Sequence, residues 1–510
     1  MRKTSLIISL LICLSGAAWG QSAPQPIGPN GLPVPIANGI KWTDAMWRDA
    51  FRAKADLHRH GGSDTGTDVS AAVSQADRGT VSRTNSERQG TTLQPQDFLS
   101  AGQTAAQLTS GQIDAEPAIA AAVAAGRAVT LPCGNYRLDE PFPDWSTDGV
   151  RLSGMNMQCV TLNVNYTINN GSINVFHLSG HGQIISDMTL NATQKMTAGC
   201  LIFEQYVSQN RIHDLIVTGP FYNGIYVYGS NNVHIDHIYA RPPFLNSETI
   251  PDAQKGPAYA GGAFITLDGD PDSGKINIDT YLSDLNIAQY TYGISYLYSS
   301  GVFENGIDVV GALNAHIFSP SAGRNVNGLQ ILNVLGDTSY GANWYFPNSG
   351  GGVYEFMCAS CWASSSYSDA GIAILNPNVS QIHWVNSTAV NNSKSGIYIS
   401  GGRNIGWSGG AIEMNNTKLG STDDASDVYL SDGNGTLDWI SISGAFIGQG
   451  GIMKYQIGKT NQAPYAVDLA SVPSTAHITL TGLQTFNHSI GQFNLPSTTT
   501  NIIQSGNQGN

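Results

Sequence analysis

Charge is what this chain lacks most: Asp, Glu, Lys and Arg together make up only 12% of its 510 residues. Basic residues are the scarcer kind, 24 against 37 acidic ones, for a formal net charge of −13. A chain so poor in Lys and Arg has no cationic stripe to grip a phosphate backbone, which excludes nucleic acid and acidic lipid surfaces as partners. A polyanionic sugar would need local cations, or a bound ion, to offset the same field. Long apolar runs are missing too, with one exception. Arg2 and Lys3 precede the run Leu6 to Leu14, and Ala18-Trp19-Gly20 follows it. That order predicts a cleaved secretory signal over 1–20 and a mature start near Gln21, hence a secreted or periplasmic protein. Ile12 stands where a lipoprotein signal needs a small residue, so Cys13 is not read as a lipid anchor. No other stretch is apolar and long enough to span a bilayer.

Cysteine is also sparse, with six in all and five after the leader. In an oxidising compartment such thiols tend to pair. Cys133 and Cys159 lie 26 residues apart and would stack if one structural repeat has that length, while Cys358 and Cys361 could close a corner loop. A zinc or redox reading of Cys358-Ala-Ser-Cys361 lacks the second cysteine pair it would need. Cys200 is left over, as a buried thiol at the head of an apolar stretch. What is plentiful is glycine, 58 residues, together with Asn, Ser and Thr, the composition of a β-rich protein with many tight turns.

The first mature segment, 21–111, reads as an extension: one short helix over 39–58, with Trp47 and Phe51 on one face, then a polar connector from His60 to about Thr104. A different pattern opens at Asp114. An Ala-rich helix, Ala115 to Ala125, leads into Val129-Thr130-Leu131-Pro132-Cys133-Gly134-Asn135-Tyr136. A helix followed by an extended Val-x-Leu-Pro-x-Gly-x-Tyr strand resembles the opening cap of the pectate-lyase-like superfamily, which includes phage tailspikes. The resemblance implies an all-β fold, a right-handed parallel β-helix with a short N-terminal helical cap.

Internal repetition supports that reading. Strands opening on a small residue recur at Cys200, Gly224, Gly293, Gly371, Gly396 and Asp427. A second mark, an apolar residue with a polar or aromatic corner two places on, recurs at Asp187, Asp214, His237, Asp284, Asn305, Trp384, Trp407 and Trp439. Strand start precedes corner by 11 to 14 residues throughout, so about a dozen coils are expected over 112–490, with 491–510 as a frayed tail. The polar corners are read as a structural ladder, and the three Trp residues as a packed aromatic column at one corner, with a sugar platform as the alternative.

The resemblance implies a glycan laid along one strand face. Outward positions of that face are expected at Glu204, Tyr226, Tyr228, Phe264, Thr266, Asp268, Tyr354, Tyr398 and Tyr429, with Leu201, Ile225 and Ile397 inside. Aromatic rings stack on sugar faces, which marks Tyr226, Tyr228, Phe264, Tyr354 and Tyr398 as substrate-binding candidates; the alternative is that Tyr simply suits exposed strands. Two excursions break the repeat, Arg241 to Gly261 and Asp268 to Thr280, and the site is expected there; the alternative is a passive surface insertion. Hydrolysis would draw on Glu204, Asp268 and Asp270 as paired carboxyls. Elimination would draw on Arg241, Lys275 and Tyr228 as bases or charge stabilisers. Asp268, Asp270, Asp272 and Asp279 could gather calcium, or form a solvated acidic turn. Ser179-Gly-His181-Gly182 lacks the companion motifs of a polygalacturonase. The expected function is a secreted polysaccharide hydrolase or lyase. A non-catalytic glycan-binding adhesin is the alternative, and tailspike relatives further imply a homotrimer.

Overall fold

A computed structural model describes residues 92–126, 128–194, 196–219, 221–241, 260–416, 426–433, 435–448, 463–497 and 501–509. The chain divides into two units at Thr92, and the described residues all belong to the second. The expected signal, the 39–58 helix and most of the polar connector lie outside them. So does the excursion over 242–259.

The second unit begins earlier than the repeat pattern suggests. Thr92–Leu93 pairs in parallel with Ala128–Leu131, and a 3-10 turn over Pro95–Phe98 and a five-residue helix, Ala105–Thr109, follow it. Too few apolar residues fall in these short elements to register as a period. The cap helix, Glu116–Ala125, then presents Ala118, Ile119, Ala122 and Val123 to the interior. Its start is fixed by the Asp114 carboxylate, which accepts the Glu116 N–H at 3.1 Å and the Asp139 N–H at 3.1 Å. Cys133 is bonded to Cys159 across the first coils, Cys358 to Cys361, and Cys200 is buried and free.

Beyond the cap the strands pair in parallel, each with the strand one coil earlier and one coil later. Among the described residues one sheet holds twelve strands, from Asn174–Leu178 to Gly491–Asn494, and a larger sheet of 23 strands makes the other faces. One coil shows the plan: Asn223–Tyr228 in the smaller sheet, a short turn, then His234–Arg241 in the larger. Ile225 and Val227 point inward and stack on Ile265 and Leu267 of the next coil, all fully buried. Each such side chain contributes about 1.5–3 kcal/mol, which is why strands buried on one face and stacked coil on coil hold without disulfides along most of their length. The end is ordered as well. Gly491–Asn494 pairs with Tyr465–Ser471 and Ile502–Ser505 with Ile478–Thr481, so the expected frayed tail is the last coil.

The corners are columns of left-handed backbone. One runs Asp187, Asp214, His237, Asp284, Gly306, Asn333, with φ between 52° and 67°. These residues share one place in successive coils because their flanking residues pair in register. Asn, Asp and Gly tolerate this conformation, which explains the polar corner mark. At the fifth coil the column takes Gly306 rather than Asn305. The three tryptophans do not form one column: Trp384 and Trp407 are buried cross-strand neighbours with rings 6.3 Å apart, whereas Trp439 is 61% exposed. Among the described residues no helix is long and apolar enough to cross a membrane.

Candidate functional site

The outer face of the twelve-stranded sheet carries a ladder of rings, one coil after another. His177 pairs with Phe203, and Phe203 with Tyr226; Gln205 pairs with Tyr228, and Tyr228 with Asp268. Ring centroids are 5.1 Å apart for His177 and Phe203, 5.7 Å for Phe203 and Tyr226, and 5.6 Å for Tyr206 and Tyr228. The rings are tilted against one another, by 40°, 60° and 46° in those pairs. Each therefore shows solvent part of a face and part of an edge. His177, Phe203, Tyr226 and Tyr228 line a groove of about 570 Å³ together with Asn174, Tyr222 and Asn223.

The ladder ends in charge. Asp268, only 5% exposed, accepts the Tyr226 O–H at 2.6 Å on Oδ2, and the Gly269 N–H at 2.8 Å and Arg324 Nη1 at 3.0 Å on Oδ1. Burial and the Asp268 charge push the Tyr226 phenol far up, so it stays a proton donor. Beside it, Asp270 accepts the Tyr206 O–H at 2.5 Å and the N–H groups of Asp272 and Ser273. The Tyr206 bond is the largest reason that the Asp270 carboxyl is held at about 2, and the same bond pushes the Tyr206 phenol up to about 12. Lys275 Nζ stands 3.9 Å from the centre of the Tyr206 ring. Burial, then Asp270 and Asp268, raise the Tyr228 phenol, with Tyr206 and then Arg324 easing it.

No protein-family model matches the sequence, and no curated protein matches it. Solved structures do match. An A-module of a mannuronan C-5 epimerase from Azotobacter vinelandii superposes over 82% of this chain and 99% of its own, with TM-score 0.52 and 16% identity. Tailspike protein 3 of bacteriophage CBA120 superposes over 92% of this chain and 69% of its own, with TM-score 0.50 and 12% identity. The chain has a parallel β-helix fold.

On this β-helix the expected site residues scatter. Tyr226, Tyr228, Asp268, Asp270 and Lys275 do come together. Glu204 does not join them: it faces inward, fully buried, between Leu178 and Val227. The strand starts at Cys200 and Gly224 are not equivalent, because Cys200 pairs with Asn223, and a one-residue slip moves a side chain to the other face of a sheet. Phe264 is buried as well, packed on Tyr290 at 5.1 Å. Gly224 makes its room, since a Cβ there would lie 2.4 Å from the Phe264 ring.

Arg241 and Tyr354 belong to the larger sheet. Arg241 lies over the Tyr239 ring and reaches Asn286 at 3.4 Å, and Tyr354 pairs with Asn327 and Ser380. Tyr398 is on the correct sheet, stacked on Tyr429 at 5.3 Å, yet six strands from Tyr226, about 29 Å along the β-helix. The calcium set does not assemble. Asp268 is held by Tyr226 and Arg324, Asp270 caps its own turn, which Asp270 and Lys275 close as a bridge, and Asp279 is a corner residue of the larger sheet with φ 53°. Four participants were absent from the sequence reading: His177, Phe203, Tyr206 and Arg324. Phe203 follows from the correct register. Arg324 is 56 residues from Asp268 and carries no local signal.

Proposed function

We propose that this is a secreted protein that cleaves an extracellular polysaccharide laid along the groove, crossing Phe203, Tyr226 and Tyr228 and reacting beside Asp268 and Arg324. The observation that supports it is the ring ladder running into a cluster of two carboxylates and two cations. Rings supply stacking subsites, and the cluster supplies proton donors and charge. The Azotobacter module is named for its action on mannuronan, which agrees with a glycan on this face.

Elimination fits these residues better than hydrolysis. Hydrolysis needs a protonated carboxyl opposite a carboxylate. The raised carboxyl nearest this face is Glu204, pushed up to about 8 by burial, and it is sealed inside. For elimination, Arg324 and Lys275 can offset the charge that develops on an acidic sugar, and the Tyr228 hydroxyl can give its proton to the leaving oxygen while taking in exchange the proton on the carbon beside the sugar carboxylate, so that one C–H and one C–O bond break as the C=C bond forms. A second reading, glycan binding without turnover, is favoured by one feature: Asp268 is already satisfied by three donors. A homotrimer, suggested by the tailspike likeness, is checked by sedimentation equilibrium.

The test is incubation with acidic and neutral polysaccharides, reading both reducing ends and absorbance at about 235 nm, for wild type and Tyr228→Phe. Rising absorbance in wild type and its loss of about a hundredfold in the variant are expected. Reducing ends without absorbance would replace elimination by hydrolysis. Retained binding with neither signal would leave the binding reading.

A further inference from the structure

A second groove, on the larger sheet, has no part in the site above. It encloses about 470 Å³ and is lined by Gln330, Glu355, Met357, Gln381, His383 and Asn404. The sheet's register sets these residues in two rows. Gln330, Met357 and His383 pair in one. In the other, Glu355, Gln381 and Asn404 occupy one corner of successive coils, each in left-handed backbone with φ 53°, 59° and 53°. The next place in that second row is Trp439, φ 54°. From Glu355 to Trp439 the row spans three coil steps, about 14 Å.

Trp439 is anomalous there. Earlier coils fill the same corner with Gly182, Gln209, Asn232, Asp279, Gly301 and Gly328, residues that lack a bulky ring. An indole gains nothing locally from left-handed backbone, and bulky residues rarely adopt it. Nor does burial compensate, because the side chain is 61% exposed. It is instead supported as a platform. His477 stacks on it at 4.4 Å with planes 9° apart, and Asp438 fixes that imidazole at 2.9 Å. Strained, exposed and braced, the ring has the marks of a group kept for contact with something outside the fold.

We propose that the groove and the Trp439–His477 platform form a second glycan site, taking a neutral oligosaccharide segment without cleaving it. Amide side chains one coil apart give donors and acceptors for sugar hydroxyls, and the indole gives a stacking face. Among the lining residues there is one acid and no Lys or Arg, and the whole chain is negative, so an anionic glycan would be repelled. This site is independent of the reaction assigned to the first groove.

The experiment is native affinity electrophoresis of the mature protein in gels containing hydroxyethylcellulose, dextran or galactomannan, with polygalacturonate as the anionic control. Trp439→Asn is the variant, because Asn404 shows that the corner accepts asparagine. Wild type should be retarded by at least one neutral polymer. Trp439→Asn should weaken that retardation about tenfold, and Tyr228→Phe should leave it unchanged. Three results would each overturn the proposal: no retardation by any neutral polymer, equal retardation of wild type and Trp439→Asn, or loss in Tyr228→Phe alone. Light scattering adds a fourth, since a change of oligomeric state in Trp439→Asn would assign the platform to a second copy of the chain.

Discussion

Both carboxyl oxygens of Glu204 are closed off from water without a hydrogen-bond partner, while Asn210 eases the charge only in part. Burial raises this carboxyl from 4.5 to about 8, so the native state keeps its proton across a range in which the unfolded chain has lost it. The sign follows from linkage. Between about pH 4.5 and pH 8 the unfolded state binds fewer protons, so stability falls as pH rises. Glu204→Gln removes that cost while keeping the shape. Its thermal midpoint should exceed wild type clearly at pH 8, by the equivalent of a few kcal/mol, and little at pH 4.5. An equal gain at both pH values would mean that ionisation of Glu204 is not the source. Only parity, not residue type, separates this buried acid from a catalytic one, and parity was set by pairing that no local sequence mark reveals.

At the scale of elements, the recurring corners were legible because left-handed backbone restricts the choice of residue. Asp187, Asp214, His237 and Asp284 stood out for that reason. Where the column turned to glycine, at Gly306, the neighbouring Asn305 took its place in the reading. The Trp384 and Trp407 marks were inner-face residues two places after an isoleucine, a spacing that an ordinary buried strand also produces. The site was harder to read, because its members come from four coils and a distant turn. The column makes a paired prediction. Gly306→Ala should cost about 1 kcal/mol, since φ is +67° and the new Cβ would meet Asp284 Oδ1 at 3.1 Å. Asn333→Gly, one coil on, should change stability by only a few tenths of that. Urea denaturation midpoints of the two variants check both, and similar losses would show that the corner is not limited by its backbone.

For the whole molecule, each coil touches mainly the coils beside it, so stability is close to a sum of neighbour terms and need not be lost everywhere at once. The cap is where this matters most. Ile119 and Ala122 are fully buried and shield the strands Ala128–Leu131 and Gly134–Leu138 at the open end of the core. Ile119→Asp would remove a buried side chain and strand a carboxylate in its place, at a cost of about 4 kcal/mol. In a one-dimensional stack that loss frays the first coils. Amide exchange should speed up over 128–138 and stay unchanged over Tyr465–Ser471, ten strands down the smaller sheet from its first strand. The freed strand edges would also offer pairing to other chains, so light scattering should rise on warming well before the far coils melt. Uniformly faster exchange along the chain would instead mean that the coils unfold as one cooperative block, with the cap holding all of them rather than its neighbours.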